Sequence, residues 1–106
     1  MKKTLFALLC FTAACVCSFA QSSDPHIIGH VIDKKTQEHV PYVTIRLVGT
    51  TYSTMTDDTG HYKLTTIPNG NYVIEASAVG YVSSSQPVTI RTNTTATVNF
   101  TIEEDL

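Results

Sequence analysis

The chain has 106 residues, 42% of them hydrophobic, with five tyrosines, four phenylalanines and no tryptophan. Seven Lys and Arg against nine Asp and Glu give a formal net charge of −2. That length suits one domain, and that charge argues against a nucleic-acid partner, because phosphate binding needs clustered cations.

The chain opens on a targeting signal. Lys2 and Lys3 form a short positive region, Leu5 to Val16 an apolar run, and Ser18-Phe19-Ala20 places small residues where a signal peptidase reads them. Residues 1–20 are therefore read as a secretory signal peptide cleaved after Ala20. The run is shorter than the roughly 20 residues of a spanning helix, and it ends in polar Gln21-Ser22-Ser23-Asp24. A second version stays open. Thr12-Ala13-Ala14-Cys15 resembles a lipobox without its usual leucine, and lipidation at Cys15 would anchor the protein to a membrane. Cys10, Cys15 and Cys17 all fall in this segment. Cleavage after Ala20 leaves no cysteine for a disulfide, a thiolate nucleophile or a metal. The exported remainder keeps all nine acidic residues but only Lys34, Lys35, Arg46, Lys63 and Arg91 as fixed cations.

Residues 21–26 are expected to be a flexible lead-in. Period-two alternation then dominates. Ile27, Gly29 and Val31 share one face of a strand, with His26, Ile28, His30 and Ile32 on the other. Val43, Ile45 and Leu47 oppose Tyr42, Thr44 and Arg46. A further strand ends near Met55. Tyr62 and Leu64 alternate with His61 and Lys63, and Tyr72, Ile74 and Ala76 with Val73, Glu75 and Ser77. Val88 and Ile90 make a short strand. Ala96, Val98, Phe100 and Ile102 alternate with threonines and Asn99. Gly49, Gly60, Gly70 and Gly80 mark turns between them. One apolar face per strand, with turns every ~8–12 residues, predicts an all-β, about seven-stranded antiparallel β-sandwich over residues 27–102. A single sheet would leave that face in water, so two sheets must pack together. Residues 103–106 are expected to be an acidic tail.

Residues 56–62, Thr-Asp-Asp-Thr-Gly-His-Tyr, place Asp57, Asp58 and His61 close together. A calcium loop needs alternating oxygen ligands over a longer stretch closed by an acidic residue, and that pattern is absent. Asp57 at the head of a turn can bond its own backbone, and Gly60 can supply the positive φ of a tight turn. The segment is read as a turn, with His61 pointing outward because Tyr62 and Leu64 take the inward parity.

The run from Gly29 to Tyr81 resembles the carboxypeptidase regulatory-like domain, of transthyretin-like (prealbumin-like) fold. The resemblance rests on Gly29, Val31, Asp33, Thr36, Val40, Pro41, Val43, Ile45, Leu47, Gly49 and Thr50. It continues through Thr56, Asp57, Gly60, Tyr62, Leu64, Ile67, Pro68, Gly70, Tyr72, Gly80 and Tyr81, all in register. The resemblance implies a non-catalytic accessory domain. Such domains commonly stand between the signal peptide and the plug of SusC-type TonB-dependent outer-membrane receptors in Bacteroidetes-type bacteria. This sequence has signal and domain in that order and ends at Leu106, without plug or barrel. It is expected to be a free-standing version or the front of a longer transporter.

Hydroxyisourate hydrolases share the fold, but need inward histidines, an arginine and a C-terminal Tyr-Arg-Gly. This chain ends Glu103-Glu104-Asp105-Leu106. Ser83-Ser84-Ser85 sits in no nucleophile-elbow context. A self-made isopeptide crosslink would need a buried carboxylate, whereas Glu75 takes the outward parity and Ala76 the inward one. His26 and His30 are about 13 Å apart along one strand, too far to share an ion. Adding His39 or His61 would need a fold the pattern does not reveal. Tyr42 and Tyr52 are the candidate aromatics for a carbohydrate, while Ile28, Ile32, Val48 and Val73 on outer faces hint at a docking surface. No catalytic, cofactor-binding or metal-ligating residue and no cofactor is predicted. The expected role is protein docking or spacing in the periplasm or at the outer membrane. The partner would be a transporter plug, a barrel or a subunit of the uptake complex. The alternative is a free-standing carbohydrate- or protein-binding module.

Overall fold

A computed structural model describes residues 26–106. The signal segment, Cys15 and residues 21–25 lie outside the described residues. His26, expected to end the lead-in, is already paired as the first residue of a strand.

Among the described residues nine strands follow in chain order: β1 (His26–Asp33), β2 (Thr44–Leu47), β3 (Ser53–Met55), β4 (His61–Thr65), β5 (Gly70–Ser77), β6 (Tyr81–Val82), β7 (Ser84–Ile90), β8 (Thr95–Thr97) and β9 (Phe100–Glu104). One sheet runs β4-β1-β9-β6, with β8 also pairing β1; the other runs β3-β2-β5-β7. The expected sandwich is present. It exceeds seven strands because β6 is a separate two-residue pairing and because the expected strand over residues 96–102 is split into β8 and β9.

The alternation produces the core directly. Ile27, Val31, Leu64, Phe100 and Ile102 of one sheet meet Ile45, Leu47, Ile74, Ala76 and Ile90 of the other, all buried. Ile28, Arg46 and Thr101, one residue out of phase with them, are exposed, as period two requires. Pro87 sits in β7, an edge strand, where a missing ladder donor is tolerated.

Two features depart from a simple antiparallel arrangement. First, β8 and β9 run parallel to β1: Ile27 pairs with Ala96 and Val31 with Phe100, at one constant register. The first and last parts of the domain thus lie side by side. Between them the ladder is interrupted at Gly29. A Cβ at Gly29 would collide with the carbonyl oxygen of Val98. The Tyr62 hydroxyl donates to that same carbonyl, and the His30 N–H finds Asn99 Oδ1 at 3.1 Å. Burial pushes the Tyr62 hydroxyl pKa up, so it remains a donor. Second, β9 continues past Ile102. Glu103 and Glu104 pair with Val82 and Tyr81, so half of the expected acidic tail belongs to the sheet.

Buried Thr56 ties the loop before β2 to the segment after β3. Its hydroxyl accepts from the Val43 N–H at 2.8 Å and donates to the Val40 carbonyl at 3.0 Å. The bend at Pro41-Tyr42 precedes β2, which starts at Thr44.

Two stability predictions follow from these contacts. Gly29→Ala should destabilise the domain by about 3 kcal/mol, the upper end for overpacking, because the obstructing atom is backbone. Thr56→Val should cost about 1–3 kcal/mol by stranding a buried N–H and C=O, while Thr56→Ser should cost less. Urea unfolding of the variants against the parent measures both.

Candidate functional site

Three polar or apolar constellations stand out, and the first is a corner of histidines. His30 of β1 is directly opposite His61 of β4 in the antiparallel ladder. Directly opposed residues have Cβ atoms about 4.5–5.5 Å apart, so the two rings meet. His39 arrives from the loop after β1. That loop turns back on Asp33, whose N–H donates to the Glu38 carbonyl, and it returns along β1 so that Ile32 bridges His39. The Val40 N–H donates to the Val31 carbonyl, and the Val31 N–H to the Gly60 carbonyl. Gly60, at φ 80°, lets this happen: a Cβ there would lie 2.6 Å from that of His39.

The ring centres lie 5.2 Å apart for His30 and His39, 5.8 Å for His30 and His61, and 4.9 Å for His39 and His61. One nitrogen from each ring lies within 4.8 Å of one from each of the others. His30 is half-buried and the other two are exposed. Burial, and then the charges of His39 and His61, push His30 below the ordinary histidine pKa. A shallow cavity of about 400 Å³ adjoins His30 and His61, lined also by Tyr62, Thr97 and Asn99.

The turn at residues 57–61 supports His61, as the sequence implied. The Asp57 N–H donates to the His61 carbonyl, and the Gly60 N–H to the Asp57 carbonyl. Asp57 Oδ1 accepts from the Thr59 hydroxyl at 2.6 Å and from the backbone N–H groups of Thr59 and His61. The Thr59 hydroxyl first, and then those N–H groups, hold the Asp57 carboxyl below the usual range. An ionised carboxylate only accepts, so the single Thr59 hydroxyl proton points at Asp57. The Thr59 oxygen, 3.0 Å from His61 Nδ1, therefore accepts from that ring. In the neutral ring this hydrogen bond puts the proton on Nδ1 and leaves the lone pair on Nε2.

Sequence reasoning placed His61 outward correctly but did not join it to His30 and His39. The link depends on a long-range strand register and on a loop return that no local pattern encodes. His26 stays apart, its Nε2 3.0 Å from the Thr95 hydroxyl.

The second constellation is the buried Asp33. Its Oδ1 accepts from the Lys35 and Thr36 N–H groups at 2.8 and 3.0 Å, and its Oδ2 from the Tyr81 hydroxyl at 2.8 Å. The Thr36 N–H first, and then Tyr81, hold the carboxyl below its usual pKa, while Asp33 raises that of Tyr81. The pair locks β1, its following turn and β6 together.

The third is apolar. Val48 and Val73, both expected on outer faces, lie together in a hollow of about 450 Å³ with Asn71, Tyr72 and Pro87 beside edge strand β7. Ile28 is exposed on the other sheet, and Ile32 is half-covered. The four do not form one surface. Tyr42 is exposed while Tyr52 packs against the core, so the two do not form one aromatic platform. Glu75 faces outward and bonds Arg46 Nε at 2.9 Å across the strands, with Ala76 buried. The carboxylate therefore lies away from the core, as its parity implied.

With two packed sheets and this strand order, the molecule falls in the transthyretin-like class of β-sandwiches. The chain belongs to the CarboxypepD_reg-like domain family, whose model matches residues 27–106. No curated protein matches the sequence. Among solved structures, the Bacillus anthracis TIE protein is similar at a TM-score of 0.62 and 19% identity, over 77% of this chain and 17% of that one. GBS52, the minor pilin of Streptococcus agalactiae, is similar at 0.59 and 17%, over 80% and 46%. Klebsiella pneumoniae 5-hydroxyisourate hydrolase is similar at 0.57 and 18%, over 76% and 91%. The chain thus spans a minor part of the first two and nearly all of the third. At these identities the likeness is one of fold.

The Asp33–Tyr81 pair predicts how stability responds to pH. A carboxyl whose folded pKa lies below its unfolded value of about 3.9 contributes stability above that value, and the contribution is lost as pH falls through the folded pKa. The Tyr81 contribution is present below about pH 10 and is lost as pH rises through its higher folded value. Thermal unfolding across pH should show both losses in the parent. Asp33→Asn should flatten the acid limb, and an unchanged acid limb would contradict the assignment.

Proposed function

We propose that this chain is an exported, non-catalytic accessory domain of the cell envelope that works by docking or spacing. The observation that carries the proposal is family membership across residues 27–106. The similarity to parts of longer chains, a minor pilin among them, supports the role of a module within or beside larger surface assemblies. The signal-like residues 1–20 support export. By resemblance, the setting is the outer membrane of a Bacteroidetes-type bacterium, with the sandwich preceding or accompanying a TonB-dependent receptor of the SusC type.

The hollow at Val48 and Val73 suits the docking role. It offers apolar contact next to β7, an edge strand whose unpaired backbone groups can take an added strand from a partner.

Fractionation of host cells, followed by the intact mass of the product, tests export. The sandwich should appear in the envelope fraction without residues 1–20. A cytoplasmic product retaining Met1 would overturn the proposal. A photo-reactive residue in place of Val73 should crosslink to an outer-membrane protein, and one in place of Lys63 on the other sheet should not.

A further inference from the structure

The docking role leaves the histidine corner unused. Three imidazoles come from three separate parts of the chain: β1, the loop returning along it, and the start of β4. A tetrahedral ion held roughly 2.0–2.1 Å from three ring nitrogens sets those nitrogens about 3.3 Å apart and the ring centres about 5 Å apart. The ring centres here are 4.9, 5.2 and 5.8 Å apart, and the donor nitrogens lie within 4.8 Å. Rotation about the side-chain bonds need close the nitrogens by at most ~1.5 Å.

Edge-to-face ring packing gives similar centre spacings, so spacing alone does not decide. The hydrogen bonds around His61 point further. Asp57 holds the Thr59 hydroxyl, and Thr59 receives the Nδ1 proton of His61. A metal-ligating histidine characteristically donates its other ring N–H to a carboxylate, a carbonyl or a water, which fixes its orientation and raises its basicity; at His61 a hydroxyl held by a carboxylate takes that place. Gly60 and the backbone bonds of Val31, from the Val40 N–H and to the Gly60 carbonyl, fix His39 beside it. The shallow cavity next to His30 and His61 has room for a water as a fourth ligand.

We propose that His30, His39 and His61 bind one divalent late transition-metal ion of the zinc class, with a fourth coordination position open to water. Imidazole donors suit Zn²⁺, Ni²⁺ and Cu²⁺, whereas Mg²⁺ and Ca²⁺ take oxygen ligands. Asp57 and Thr59 are positioning residues that act through His61.

The protein, purified without an affinity tag, is titrated with Zn²⁺ by calorimetry and with Co²⁺ by visible absorption. One ion per chain is expected, with a cobalt spectrum lacking thiolate charge transfer and no displacement by excess Mg²⁺. His39→Gln and His61→Gln, both at exposed positions, should keep the native circular dichroism and bind at least ~10-fold more weakly. Thr59→Val should weaken binding by about tenfold with all three histidines intact. His26→Gln should bind as the parent does. The proposal is overturned by the absence of saturable binding or by Mg²⁺ displacing the ion. It is overturned equally by full affinity in both histidine variants, or by a thiolate band that assigns the ion to Cys10, Cys15 and Cys17.

Discussion

The arrangement depends on the contact between Gly29 and the backbone of Val98. β1 is flanked by antiparallel β4 on one edge and by parallel β8 and β9 on the other. Where a side chain at position 29 would stand, the Val98 carbonyl enters instead and takes the Tyr62 hydroxyl proton. That carbonyl has left the regular ladder, so the hydrogen bond from Tyr62 satisfies a buried acceptor. The following N–H of His30 is satisfied by the Asn99 side chain. A shift of one residue in register would put the inward faces of Ile27 and Val31 into water and destroy each of these bonds. On its other edge, the antiparallel register of β1 with β4 sets His30 against His61.

Around that frame, short polar residues hold loops in place. Asp33, Thr56 and Asp57 each bond backbone groups of a neighbouring turn. Asp33 folds the loop after β1 back on itself. Thr56 pins the end of that loop to the segment between β3 and β4. Asp57 shapes the turn that starts β4. Together they bring residue 39 against Gly60 and so place its ring beside the other two. A side chain on one of these three supports thus has a consequence several ångströms away, at the histidine corner.

Much of this was legible in the residues themselves. Alternation identified the inward positions, and Ile27, Val31, Val43, Ile45, Leu47, Ile74 and Phe100 are all buried. Asp57 and Gly60 announced a turn because their chemistry is local: a short carboxylate reaches nearby N–H groups, and glycine tolerates positive φ. What remained hidden is long-range. Val98 and Asn99 alternate with their neighbours as in an ordinary strand, yet they break the ladder because of a glycine at the other end of the domain. The pairing of Asp33 with Tyr81 and of His30 with His61 is invisible in the same way. The spacing of His26 and His30 along one strand leads away from the cluster, because the partners of His30 come from other segments.

The docking reading and the histidine corner occupy different places on the sandwich, the first beside β7 and the second beside β1 and β4. They can therefore be examined separately. Register and loop return gather three imidazoles, and Asp57 and Thr59 fix the tautomer of one. Nuclear magnetic resonance tests it directly, through ring-to-ring Overhauser contacts and long-range proton–nitrogen correlations of the imidazoles in metal-free protein. Contacts among His30, His39 and His61 are expected, with His26 outside that cluster and the His61 proton on Nδ1. A His61 proton on Nε2, or a His39 ring without contacts to the other two, would contradict it.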